Sequence, residues 1–354
     1  MPADVVINED AGRGNLLFVM LRLDDGEELP FFVDTGAPVT LFDKSLESKL
    51  GKRLGETTLS NWGRQTKSGV YAAPKIFFGS TPLMTGDHVF VWDFQQISNQ
   101  AGRPIAGILG MDCLRHYCIQ LDFETGRMHF LDSEHLDKAE LGNASPLTIV
   151  GDHEGRPYIR QASLVGNADA NLLIDTGYRS DGAAESKVFQ QEIQKQKLQT
   201  GESSVKGQHS GRVWFSKSVW NGQTYTNLLV GADGNVIGLR FLARHLVTFD
   251  FPKKTMYLKQ TSVGPLADKK IQAASEFFQS LKESGQLPGW SKNDSGTFYL
   301  EAYPNYEAFD GSKNGGLFRY HYQVSQMAKG SSWKLQKAWR TDQDGKTVEE
   351  FPVP

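Results

Sequence analysis

The sequence predicts a mainly β chain: two matched β lobes in tandem, followed by a small α+β domain. Three observations predict it. The tripeptide Asp-Thr-Gly occurs twice, as Asp34-Thr35-Gly36 and Asp175-Thr176-Gly177, each time at the end of an apolar run. Each copy is followed by an apolar-apolar-Gly segment, Ile108-Leu109-Gly110 in one case and Val236-Ile237-Gly238 in the other. Beyond about Gly264 this pattern stops and a helical apolar spacing followed by aromatic-rich alternation takes over.

The first lobe, residues 1–140, opens with an alternating strand from Leu16 to Leu23, a turn at Asp24-Asp25-Gly26, and a second strand running into Asp34. The second lobe, residues 141–262, repeats this with a strand from Tyr158 to Val165, a turn at Gly166-Asn167-Ala168-Asp169, and Leu172-Leu173-Ile174 leading into Asp175. The two motifs are offset by 175 − 34 = 141 residues and their glycine partners by 238 − 110 = 128. The second register continues without a gap, setting Leu121-Asp122-Phe123 on Phe249-Asp250-Phe251 and Met128 on Met256. Each lobe closes with a short helix, Met111 to His116 or Leu239 to His245. A hairpin follows, turning at Glu124-Thr125-Gly126 or Pro252-Lys253-Lys254.

In the third part, residues 263–354, the residues Leu266, Ile271, Ala274, Phe277, Phe278 and Leu281 recur at helical spacing up to a stop at Gly285-Gln286-Leu287-Pro288-Gly289. Strands are expected from Thr297 to Tyr303, Leu317 to Val324, Trp333 to Trp339 and Val348 to Val353. One helix on an antiparallel meander is a small accessory α+β domain, a packing or ligand-docking module rather than a second catalytic centre.

Bulk properties narrow the function. A charged content of 22% and a net charge of −3, with Lys and Arg spread along the chain, argue against a nucleic-acid surface. No run approaches about 18 apolar residues, so no transmembrane segment is expected. The start Met1-Pro2-Ala3-Asp4 lacks the apolar core of a signal peptide. Localisation stays open; a secreted or periplasmic protein whose signal peptide has been removed is compatible with this start. The two cysteines, Cys113 and Cys118, have neither redox nor metal-ligand spacing. There is no His-Glu-x-x-His, no Gly-x-Ser-x-Gly and no Gly-Lys-Ser/Thr phosphate loop. His116 and His245 fall near each other in the repeat alignment and read as structural residues at a helix end, where the dipole favours imidazolium.

A single Asp in a turn is ordinarily a capping residue. Two in matched repeats resemble the pepsin-like and retropepsin-like aspartic proteases, whose lobes each carry apolar-apolar-Asp-Thr-Gly and, later, apolar-apolar-Gly. The resemblance covers about residues 14 to 260, and lobes this compact look like retroviral subunits fused in one chain. It implies two acid-protease-type β lobes with catalytic Asp34 and Asp175 activating a water for peptide hydrolysis. Thr35 and Thr176 would lock the loops together, Gly36 and Gly177 would bring their N–H groups to the carboxylates, and Gly110 and Gly238 would pack beneath the loops. No cofactor or metal is implied, the substrate is a peptide or protein, and a monomer is the default because both motifs lie in one chain.

A flap is expected between each Asp-Thr-Gly and its glycine partner. Trp62, Gly63 and Tyr71 in the first lobe and Trp214 in the second are candidates for substrate binding; an aromatic in a strand is more often core. The second loop departs from the family in Tyr178-Arg179, where small residues are usual. Arg179 either depresses the Asp175 pKa, or lies in solvent, or pairs with Asp181. The rival to an active enzyme is accordingly a catalytically inactive pseudo-protease binding peptide or cell-wall ligands.

Overall fold

The computed structural model describes residues 2, 4–13, 15–61, 64–95, 97–98, 104–149, 155–196 and 213–266, together with the backbone of four strands between 295 and 351. The chain divides into two compact units, Met1–Leu266 and Ala267–Pro354. The fold is mainly β, as expected.

Among the described residues, three sheets build the first unit. In the nine-stranded sheet of the first half, Phe18–Leu23 and Glu28–Val33 form the expected hairpin, because Phe18, Val19, Leu21 and Leu23 are buried while Asp24-Asp25-Gly26 supplies a turn with Gly26 at φ +88°. Glu28–Val33 carries Phe31 and Val33 straight into Asp34. The Gly107–Leu109 strand lies parallel to it, Ile108 opposite Phe32, and antiparallel to Leu41–Asp43 on its other side. This insertion of a central strand between the two arms of the aspartate loop fixes the loop from below. In the second half the Leu172–Asp175 strand pairs in parallel with Asp233–Gly238, Ile174 opposite Ile237, and Gly182–Glu185 flanks the latter on the far side. The arrangement is the same.

The six-stranded sheet joins the halves. Its two central strands are Cys118–Asp122 from the first half and His245–Asp250 from the second, antiparallel to each other. Gln120 faces Thr248 at its middle, and its amide donates to the Thr248 hydroxyl at 2.9 Å. These two residues are related by the 128-residue offset, so the centre of the sheet is where corresponding positions meet themselves across an approximate two-fold. One buried cluster runs through both halves, from Leu17 and Phe31 through Met111, Leu121 and Met128 to Ile174, Phe241 and Phe249. The expected boundary near residue 140 therefore falls inside one unit, just before Asn143–Pro146 adds an edge strand beside Thr255–Gln260.

Several local expectations are corrected. The strand expected from Tyr158 to Val165 ends at Ile159, because Gln161 takes φ +48° and Ala162 instead donates to the Ala170 carbonyl. The short helices span Met111–Leu114 and Leu239–Leu242, ending before His116 and His245. A helix not foreseen, Ser186–Gln196, packs Val188, Phe189 and Ile193 inward. Cys113 and Cys118 are both free and buried.

In the second unit, Ser295–Pro304, Leu317–Gln326, Trp333–Thr341 and Thr347–Phe351 form an antiparallel four-stranded meander in chain order. The helix expected from Leu266 to Leu281 lies outside the described residues beyond Leu266. Among the described residues, no helix is long and apolar enough to cross a membrane.

Candidate active site

The two Asp-Thr-Gly loops meet tip to tip. Thr35 N donates to the Thr176 hydroxyl at 3.0 Å and Thr176 N donates to the Thr35 hydroxyl at 3.0 Å. Each hydroxyl then donates onward across the junction, Thr35 to the Ile174 carbonyl at 2.7 Å and Thr176 to the Val33 carbonyl at 2.8 Å. Only a side chain that accepts and donates at once completes this closed ring, which is why both positions carry a hydroxyl. Both are fully buried, so each bond forms out of reach of competing water.

The ring sets the two carboxyl groups close enough for each to feel the other's charge. Each also accepts two backbone N–H groups from its own loop: Asp34 from Gly36 at 2.8 Å and Ala37 at 3.1 Å, Asp175 from Gly177 at 2.8 Å and Tyr178 at 3.0 Å. A Cβ on Gly36 would sit 2.4 Å from the Asp175 carboxyl carbon, and one on Gly177 would sit 2.5 Å from that of Asp34. Glycine is required because each loop passes directly under the opposite carboxylate.

Burial and the neighbouring negative charge of Asp175 hold the Asp34 carboxyl well above the usual carboxylate range. Asp175 is raised too, by burial, but the bond from Asp34, the Gly177 and Tyr178 amides and the positive charge of Arg156 pull it back. Burial and like charge together disfavour ionising both carboxyls at once, so the two titrate as a pair.

The loops are supported alike from below. Met111 N donates to Ala37 O at 2.9 Å and Leu239 N to Tyr178 O at 2.7 Å. A Cβ on Gly110 would come within 2.5 Å of the Val39 backbone, and one on Gly238 within 2.2 Å of Ser180 O. Six residues after each aspartate stands a side-chain strut. Thr40 donates to Asp112 at 2.7 Å and accepts from Gly110 N at 3.2 Å. Asp181, its counterpart, pairs with Arg244 at 2.7 Å and Arg240 at 3.6 Å.

The remaining sequence candidates are placed as follows. The strands Arg53–Asn61 and Arg64–Ala72 form the hairpin expected as the first flap; Trp62 and Gly63, at its turn, lie outside the described residues. Tyr71 is 7% exposed and packs in the buried cluster. Trp214 pairs with Leu229 in the strand Val213–Trp220, and its side chain is outside the description. Arg179 is buried rather than in solvent, and Arg156, which the sequence does not single out, adds a positive charge that acts on Asp175. The Tyr178 ring lies over Gly238, in its own half, since a Cβ there would be 2.7 Å from its Cδ1.

The histidines also separate. The 128-residue offset sets His116 opposite Arg244 and Tyr117 opposite His245. His116 is exposed, whereas His245 is buried between the Phe241 carbonyl, 3.0 Å from Nδ1, and the Tyr225 hydroxyl, 2.8 Å from Nε2. Burial pushes it down to about 4, so it is neutral, contrary to the imidazolium expected at a helix end.

No curated protein sequence matches this chain. Among solved structures, basic 7S globulin from soybean is 15% identical, covering 74% of this chain and 96% of its own, with a TM-score of 0.47. An aspartic proteinase from Irpex lacteus is 14% identical, covering 74% and 98%, with a TM-score of 0.49. Residues 19–113 match the family model described as aspartyl protease. That segment holds the first Asp-Thr-Gly loop and its glycine partner, and with the second loop set against it the chain carries a pepsin- and retropepsin-like aspartic-protease fold.

Proposed function

We propose that this protein is an aspartic endopeptidase, built as an internal duplication whose halves each contribute one carboxylate. The observation that carries this reading is the reciprocal arrangement of Asp34 and Asp175 over the Thr35–Thr176 ring, each carboxyl set against the other half's glycine. In the reaction, a water between the two carboxyl groups gives a proton to the ionised one as its oxygen attacks the peptide carbonyl. The protonated carboxyl gives its proton to the carbonyl oxygen, leaving a neutral gem-diol. Protonation of the peptide nitrogen and collapse of the diol then break the C–N bond and return the dyad to a single proton.

A monomer suffices, since both loops come from one chain. Tyr178 supports an active centre, because its ring turns toward Gly238 in its own half. The catalytically inactive alternative, a peptide- or cell-wall-binding pseudo-protease, differs in one readout. Cleavage of an unbiased peptide library from about pH 3 to 7 is expected for the wild type and lost in Asp34→Asn and Asp175→Asn, each by at least ~10³-fold in kcat. A folded wild type that binds peptides and cleaves none at any pH sinks the enzyme reading.

A further inference from the structure

The second aspartate loop is braced by a group that the first half lacks. Arg244 occupies the position that corresponds to exposed His116, and its guanidinium is fully buried. It makes four donor contacts. Nη2 reaches Asp181 at 2.7 Å and Asn227 O at 3.1 Å, while Nη1 reaches Thr226 O at 2.7 Å and Val263 O at 3.2 Å. Its own carbonyl accepts from Thr261 N at 2.9 Å and Ser262 N at 3.1 Å. Asp181 in turn closes the loop that starts at Asp175, taking Leu229 N on its other oxygen at 2.8 Å and giving its carbonyl to Gly238 N at 2.9 Å.

We infer that Arg244 is a positioning residue for Asp175, holding the 175–181 loop against the strand Gln223–Gly231 and against the segment 261–263 that leaves the second half. This rests on the aspartic-protease reading. The physical ground is that one planar fork satisfies three carbonyls from two separate backbone segments, 226–227 and 263, and a carboxylate simultaneously, a geometry that a lysine's single nitrogen cannot reproduce. Small displacements of a catalytic carboxylate are costly in rate and nearly free in binding, so the loss falls on turnover.

The test compares Arg244→Lys with Ile193→Ala in the full chain. Ile193 is a buried residue of the helix Ser186–Gln196 with no part in the loop, and its truncation destabilises the second half by a cavity alone. At a temperature where both variants are folded, Arg244→Lys is expected to lower kcat by at least ~10-fold with KM changed less than ~2-fold, while Ile193→Ala keeps wild-type kcat. Equal kcat in the two variants overturns the inference. Amide hydrogen exchange supplies a readout that does not need activity. Arg244→Lys is expected to speed exchange at Gly177, Tyr178 and Leu229 by at least ~10-fold relative to Ile193→Ala, with Gly36 and Ala37 unchanged. If the wild type proves inert yet this loosening is seen, the enzyme reading fails and the bracing stands; exchange no faster than in Ile193→Ala removes the bracing whatever the activity.

Discussion

The two halves of the first unit are most alike where they touch and least alike one layer out. At the junction, Thr35 and Thr176 make the same bonds at the same 3.0 Å, and Gly36 and Gly177 each pass under the other half's carboxylate. Six residues on, the same strut is built from a hydroxyl and a carboxylate in one half, Thr40 with Asp112, and from a carboxylate and two guanidinium groups in the other, Asp181 with Arg240 and Arg244. Asp112 and Arg240 themselves hold corresponding positions, since 240 − 112 = 128. At an approximate two-fold each residue must fit its own counterpart, so only self-complementary side chains serve; away from it any matched donor and acceptor will do.

The sharpest way to break the comparison is at the shared centre. Gly36→Ala and Gly177→Ala place a methyl at 2.4 Å and 2.5 Å from the facing carboxyl carbons, so one or both carboxyl groups must move. If the centre is symmetric in function, both are expected to lower kcat by at least ~10²-fold, and by amounts within a few-fold of each other. A single-turnover cleavage assay on each variant decides it, and a large loss in one alone means that the two carboxyl groups are not equally exacting.

One layer out, the halves should respond unequally. Asp181→Asn leaves the fully buried Arg244 facing a neutral amide, a loss of about 3–5 kcal/mol by the usual cost of breaking a buried pair. Thr40→Val leaves Asp112 with its bond from Cys113 N and removes an acceptor from Gly110 N, about 1–3 kcal/mol. Denaturant midpoints measure both. Equal losses would mean that the ionic strut does no more than the neutral one.

What the sequence made legible follows the same division. The centre was readable because its constraint is local: an apolar strand, three fixed residues, and a glycine that the loop backbone of Val39 or Ser180 leaves no room to replace. The outer layer was not, because it rests on contacts distant in the chain. Nothing near Asp181 says that Arg244, distant in the chain, meets it, or that Arg156 is a charge felt by Asp175. The helix Ser186–Gln196 was legible in principle from Val188, Phe189, Glu192 and Ile193 on one face, yet its lysines and glutamines mask so short a stripe. The strand expected to reach Val165 failed on one residue, Gln161, whose left-handed backbone no sequence rule flags. His245 departs from the helix-end reading because its burial depends on Tyr225, on a different strand.

The smallest effect sets the centre against the periphery through pH. The Asp34 and Asp175 carboxyls are raised in the folded state above the 3.8 of a free aspartate, so folding favours their proton. Their contribution to stability grows as pH falls toward 3.8 and is lost as pH rises through the folded value. His245 runs the other way. Its folded pKa of about 4 lies below the ordinary 6.5, so the unfolded chain binds the proton more readily and stability is lost as pH falls through that window. At pH 5 this amounts to about 2 kcal/mol relative to pH 7. His245→Phe removes the titrating ring while Tyr225 keeps Gln223 as a partner at 2.8 Å, so the variant is expected to be slightly less stable at pH 7 and to lose less on acidification. Urea midpoints at pH 7, 6 and 5 measure the slope. A slope unchanged by the substitution means that His245 is not what limits acid stability; a slope that reverses, with stability rising toward pH 5, exposes the opposite contribution of the shared carboxyl pair.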